Sequence, residues 1–387
     1  MDRSAVKDIL KRQSIETPSW AYGNSGTRFK VFSQPGIARD PFEKLQDAAQ
    51  VHRFTGVAPS VAIHIPWDKV DDYSKLKRYA EDLNIKIGAI NPNLFQEQEY
   101  RFGSVCNPDP RVRRKAIDHL LQCVEIAEIT ESFALSLWFA DGTNYPGQDS
   151  IRMRQERLFE ALSETYSALP ANVGMLLEYK LYEPSFYTMD IPDWGTSLVQ
   201  CLALGEKAKV LVDTGHHALA TNIEFLVSNL LRIGRLGGFH FNSRFYGDDD
   251  LIVGAADPYQ LFRIMFEIVD ADAVTPKKGV AFMLDQCHNI EPKIQAEIRS
   301  VLNVQEATAK ALLVDRQELS RLQQSGDVLG ANELFQEAFS QDVRPLLAEL
   351  REDMGLDPDP IAAYKRSGYQ QRIEEERVGG TAAGWGA

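Results

Sequence analysis

Paired cysteines are missing from this sequence. Its four cysteines, Cys106, Cys123, Cys201 and Cys287, stand far apart among 387 residues, with no CxxC. That argues against a thiolate zinc site or a dithiol redox motif. No apolar run approaches ~18 residues, so no transmembrane helix is expected. The start, Met1-Asp2-Arg3-Ser4-Ala5, has no apolar signal core. Neither GxGxxG nor GxxxxGK followed by Ser or Thr occurs, which removes the usual phosphate-cradling turn of a doubly wound sheet. Positive charge is also short, with 42 Lys and Arg against 55 Asp and Glu and a net charge of −13. Neither a nucleic acid nor a membrane is therefore expected as a partner. A reduced, cytoplasmic globular protein is the expectation.

What is present is a rhythm. Apolar, β-branched runs at 60–65, 86–90, 133–137, 174–177, 210–212, 237–239 and 280–284 read as buried strands. A further short strand is expected at 251–253. Amphipathic helices fit between most of them, for example near 110–127, 150–167 and 222–233. Asp40-Pro41 and Asp257-Pro258 read as helix starts, with Asp as N-cap and Pro at the first position. Strands alternating with helices predict a parallel sheet, and eight of them predict a (β/α)8 barrel.

The expected organisation has four parts. Residues 1–55 hold a helix, an aromatic-rich loop and a second helix. The barrel spans 56–291, a helical extension 292–378, and a loose tail 379–387. The loop at 15–40 interleaves Gly and Pro with Trp20, Tyr22, Phe29 and Phe32, too many aromatics for a disordered linker. It reads either as packing on its own domain or as a lid over an active site, its own or a neighbouring subunit's.

In a parallel barrel all strand ends converge on one face. Read as a set, those ends carry His64 and Trp67, Trp138, Glu178 and Lys180, Asp213 and His216, His240, Asp248 and Asp250, and Asp285. A buried group of carboxylates needs a compensating cation, and Lys180 alone cannot supply it. A pair of divalent metals can, and mixed carboxylate and imidazole ligands suit Mn²⁺, Co²⁺, Zn²⁺ or Mg²⁺. Tryptophans beside carboxylates also suit a sugar ring. Isolated histidines such as His52, His119 and His288 read as packing or surface residues.

These segments resemble a known family. Ile63-His64-Ile65-Pro66-Trp67-Asp68, Asn91-Pro92-Asn93, Leu137-Trp138-Phe139-Ala140-Asp141-Gly142, Leu177-Glu178-Tyr179-Lys180, Val212-Asp213-Thr214-Gly215-His216-His217, Phe239-His240-Phe241-Asn242, Tyr246-Gly247-Asp248-Asp249-Asp250 and Leu284-Asp285-Gln286 are similar to the Pseudomonas-type L-rhamnose isomerases, among the xylose-isomerase-like barrels. The resemblance covers about residues 25–300. It implies a homotetramer with two metals per subunit, usually manganese. It implies Glu178, Asp213, His240 and Asp285 as ligands of a structural metal, and His216, Asp248, Asp250 and a shared Asp213 as ligands of a catalytic one. Lys180, His64, Trp67 and Trp138 then resemble substrate contacts, and Phe29 or Phe32 a lid contact near an adjacent subunit's active site. This chain is shorter than the family's usual members.

The resulting expectation is an aldose–ketose isomerase interconverting L-rhamnose and L-rhamnulose, with D-allose and D-psicose as a further pair. Lys180, His216 and Asp285 are the expected catalytic residues in a metal-assisted hydrogen transfer between C1 and C2. A sugar epimerase on the same barrel is the competing enzyme. A metal-stabilised sugar-binding protein is the non-catalytic alternative.

Overall fold

The computed structural model describes residues 2–27, 29–287 and 289–378. His288 and the tail 379–387 lie outside the described residues. Eight parallel strands close into a barrel: β1 Ile15–Pro18, β2 Ser60–Ile65, β3 Lys86–Pro92, β4 Ala134–Leu137, β5 Gly174–Glu178, β6 Ala208–Asp213, β7 Leu236–Phe241 and β8 Ala281–Leu284. β1 pairs with β8 on one side and β2 on the other, which closes the ring. Most strand residues are buried, as strands covered on both faces must be.

Helix starts follow local chemistry. The helices are α1 Arg3–Leu10, α2 Pro41–Thr55, α3 Tyr73–Asp82, α4 Pro110–Thr130, α5 Ile151–Ala168, α6 Trp194–Leu204, α7 Ile223–Arg232, α8 Pro258–Asp270 and α9 Lys293–Leu313. Asp40, Asp109 and Asp257 each accept a hydrogen bond from a first-turn N–H, with proline next in sequence. The side-chain oxygen satisfies an N–H left without a carbonyl, and proline gives up an N–H that had none. No helix among the described residues is long and apolar enough to cross a membrane.

Two expectations are corrected. The expected strand at 251–253 does not form; Leu251 makes only an isolated antiparallel bridge to Ser243. The missing strand is β1, inside the segment read as irregular. It is four residues long, with Glu16 in its middle and Pro18 at its end, too short and too polar to show a period. The same segment continues through a turn at Ser19–Tyr22 into a hairpin, Ser25–Thr27 with Lys30–Phe32. Helix α9 is also more than an extension. It packs against α8 on one side and α2 on the other, and so completes the ring around the barrel. Beyond it run α10 Arg316–Ser325, α11 Val328–Ser340, α12 Arg344–Asp353, α13 Pro360–Arg366 and α14 Tyr369–Glu376. The last of these is tied back to α2, where Arg377 and Tyr369 both hydrogen-bond Asp47.

Candidate active site

The carboxyl ends of β5 to β8 build the site. Glu178 ends β5 and Asp213 ends β6. Asp213 lies in register with His240 of β7, so both side chains stand at one level of the parallel sheet. Asp285 follows β8 directly. Oxygen or nitrogen atoms of Glu178, Asp213, His240 and Asp285 all lie within 4.8 Å of one another. His240 Nδ1 stands 3.1 Å from Glu178 Oε2 and 3.2 Å from Asp285 Oδ2. His216 Nδ1 also stands 3.1 Å from Glu178 Oε1, yet Glu178 Oε1 and His240 Nδ1 are buried with no well-aligned hydrogen bond among the described residues. Unsatisfied buried donors and acceptors are rare, and converging ones fit a divalent cation with oxygen and nitrogen ligands.

Asp213 is aimed by its neighbours. Asn242 Nδ2 donates to its two oxygens at 3.0 and 3.1 Å, and the Gly215 N–H donates at 2.6 Å. A Cβ at Gly215 would stand 2.7 Å from Asn242 Oδ1, so only glycine fits the turn. Beside this group, His216 Nε2 lies 2.7 Å from Asp248 Oδ1 and 3.9 Å from Asp213 Oδ2. Its Nδ1 faces the Tyr179 carbonyl at 3.0 Å. Asp248 and Asp250 both adopt left-handed backbone, with φ of 56° and 47°. Non-glycine residues held there are uncommon and concentrate at functional loops.

The electrostatics are those of a crowded anionic pocket. Burial raises Asp213 to about 7, with Glu178 and Asp285 adding to the effect. Burial, with Asp248, Asp285 and Asp213 nearby, pushes Asp250 well above the carboxylate range. For Glu178, burial is overcome by His240 and His216, which draw it down to about 2. Burial opposes charge on His216 and His240, yet the surrounding carboxylates raise both. Lys180 donates to Asp248 and, at 2.6 Å, to Glu183; these partners outweigh burial and hold it as an ammonium.

Opposite the acids stands an aromatic wall. The His64 and Trp67 rings stack at 3.9 Å, and Phe95 meets Trp138 edge-on at 5.2 Å. Lys180 Nζ sits 5.0 Å over the Trp138 ring. One cavity is lined by His64, Trp67, Trp138, Glu178, Lys180, His216, His240, Asp248, Asp250 and Asp285, with Asp213 in the cluster beneath. Phe29 is not among the lining residues; it is 85% exposed on its hairpin.

Several residues of the cavity escape sequence reasoning. Trp20 lines it and donates Nε1–H to Asp285 Oδ1 at 2.9 Å. Asn91, Phe95 and Ser136 line it as well. Trp20 stood in the aromatic segment without a strand to place it, whereas Asn91 stood at an expected strand end. His217, adjacent to His216, points away and meets the Tyr179 hydroxyl at 2.6 Å. A second group, Cys106, Asp141 and Asp190, also draws close. It is already satisfied: Arg154 pairs with Asp190 at 2.7 Å, and the N–H groups of Ser104 and Cys106 serve Asp141.

Residues 46–290 match the model of the xylose isomerase-like TIM barrel family. A probable sugar isomerase of Rhizobium meliloti (strain 1021) is 42% identical over 392 aligned positions, covering 100% of this chain and 91% of that protein. A probable sugar isomerase of Mesorhizobium japonicum is 41% identical over 380, covering 96% and 88%. Among solved structures, an L-ribulose 3-epimerase superposes with a TM-score of 0.56 at 15% identity, covering 78% of this chain and 98% of that one. A D-psicose 3-epimerase from Clostridium cellulolyticum H10 gives 0.53 at 14%, covering 78% and 97%. At such identities the likeness concerns the fold.

Proposed function

The chain belongs to the xylose isomerase-like TIM barrel family, and from that premise we propose a metal-dependent aldose–ketose isomerase of L-rhamnose and L-rhamnulose, with D-allose and D-psicose as a further pair. The observation that carries the reading is the convergence of Glu178, Asp213, His240 and Asp285 within 4.8 Å, opposite the wall formed by Trp67 and Trp138. Relatives named sugar isomerase, matching over nearly the whole chain, support the reaction class. The choice of rhamnose rests on the segment resemblance.

In this reading Glu178, Asp213, His240 and Asp285 would hold one divalent ion, for which Mn²⁺ suits the donor set, and His216, Asp248, Asp250 and the shared Asp213 would hold a second. Bound there, divalent ions would supply Lewis acidity toward the sugar's C1 and C2 oxygens. The chain's own residues do the rest. Trp67, Trp138 and His64 cover one face of the sugar and exclude water. Lys180, kept protonated by Asp248 and Glu183, donates a hydrogen bond to a sugar oxygen rather than acting as a base. His216 is oriented by the Tyr179 carbonyl, so its Nε2 faces the cavity. Asp285, fixed by Trp20, is placed to take or return a proton at C2 in an enediol route; in a direct hydrogen shift it remains a ligand only.

An aldose panel assayed with Mn²⁺ and with a chelator tests this. Ketose formation from L-rhamnose that is lost on chelation and restored by Mn²⁺ is expected. Inversion at C3 of a ketose without aldose–ketose conversion would establish the epimerase instead. Metal binding with no turnover of any sugar would leave a binding protein.

A further inference from the structure

The barrel has a second opening, at the amino ends of its strands, away from the site above. A cavity of about 460 Å³ lies there. The interior of such a barrel is ordinarily filled by layers of branched side chains. Here five strands offer small residues at this level: Ser60, Ala134, Gly174, Gly237 and Ala281. At Gly237 the space is taken by Leu176, whose Cδ2 would stand 2.5 Å from an added Cβ, while the remaining small residues leave the level unfilled. The result is a hollow where a packed layer belongs.

Glu16 of β1 lines that hollow. It is 3% exposed. One oxygen accepts the Ala89 N–H at 3.0 Å; the Ser60 hydroxyl also acts on the carboxyl, but Oε2 is buried with no well-aligned hydrogen-bond partner among the described residues. Gly88 makes the room, since a Cβ there would lie 1.4 Å from Oε2. A buried carboxyl with an unused acceptor is costly and calls for a partner. At the opening stand Lys86, Lys207 and Lys209. Lys207 is anchored by the Leu169 carbonyl at 2.8 Å. Lys86 and Lys209 have no ion pair among the described residues. Three lysines thus stand at the entrance beside one acid, Glu206, which Arg235 pairs at 2.8 Å, and a hydrogen-bond acceptor lines the interior.

We propose that this amino-terminal mouth binds a phosphorylated small polyol, with the phosphate at Lys86, Lys207 and Lys209 and a hydroxyl donating to Glu16 Oε2. The volume falls in the range of small-molecule sites, roughly 300–1,000 Å³. The site is separate from the catalytic cavity and stands or falls independently of the isomerase reading. Calorimetric titration of the full metal-loaded chain with D-ribose 5-phosphate, D-ribose and inorganic phosphate tests it. D-ribose 5-phosphate is expected to bind more tightly than either other probe. The surface double variant K86E/K209E is expected to weaken it at least about tenfold, as lost ion pairs would. E16Q is expected to weaken D-ribose 5-phosphate but leave inorganic phosphate unchanged. Circular dichroism of each variant establishes that it is folded. Absence of D-ribose 5-phosphate binding, equal affinity in folded K86E/K209E, or displacement by an aldose that turns over would each overturn the proposal.

Discussion

Asp213 shows how one residue gathers a role from its surroundings. Its carboxylate is fully buried, held by Asn242 and the Gly215 N–H, and crowded by Glu178 and Asp285. In the proposed assignment it belongs to both ligand sets, so Asp213→Asn keeps the shape and removes a charge that both would need. Turnover should fall by more than about 100-fold, beyond what changes behind metal ligands usually cost. Metal content by elemental analysis should fall with it; normal turnover would sink the assignment. His64 gives a pH prediction. Burial, with Lys44 nearby, lowers its pKa far below the usual imidazole value, so it stays neutral in the folded chain. The unfolded chain binds that proton below about pH 6.5, so the group costs stability as pH falls through that value. Urea melts of wild type and His64→Asn at about pH 7 and about pH 5 should show a shallower loss in the variant, by up to about 1.4 kcal/mol per pH unit. Parallel curves would refute it. Asp213, His216 and His240 were legible because each follows an apolar run. Trp20 was not, because no expected strand placed it and its partner Asp285 is 265 positions away; Asn242 was visible at a strand end, but not its hold on Asp213, 29 positions away.

At the scale of elements, a buried ion pair joins three of them behind the aromatic wall. Lys44 of α2 lies 2.6 Å from Asp68, and both are almost wholly buried. Asp68 also accepts from Ser19 Oγ, just past β1, and from the His64 N–H of β2 at 2.8 Å. The carboxylate thereby fixes the turns that carry Trp20, His64 and Trp67 into the cavity. Lys44→Met leaves that charge buried and uncompensated, and should destabilise by about 3–5 kcal/mol. Adding Asp68→Asn should recover part of the loss in chemical denaturation, whereas a double variant worse than the single would contradict the pairing. The βα rhythm from β2 to β8 was legible because each strand is a contiguous apolar run. β1 was not, since four residues around a glutamate carry no period. The 251–253 run misled for the converse reason: it is apolar, yet no neighbouring strand edge is free to receive it once β1 stands between β8 and β2.

For the whole molecule, the hairpin after β1 raises the question of assembly. Gly26 lets its two strands close, since a Cβ there would stand 1.9 Å from the Lys30 carbonyl oxygen. Phe29 at its tip is 85% exposed, and Tyr145, Phe245 and Tyr246 are also largely exposed. Isolated apolar side chains on a surface need no explanation; what singles out Phe29 is the segment resemblance, which implies a lid contact from this loop. On that resemblance we propose that Phe29 covers the mouth of a neighbouring subunit's cavity, in a homotetramer. Light scattering should then give four times the mass of one chain. Phe29→Ala should raise KM about tenfold, the scale of one lost aromatic contact, with kcat changed far less. Because the contact crosses subunits, mixing Phe29→Ala with a Asp213→Asn chain should restore some low-KM sites, the intact Phe29 of one covering the intact metal cluster of the other. A chain that is monomeric at assay concentration with undiminished kcat/KM, or mixtures with no recovered low-KM activity, would rule out the shared lid.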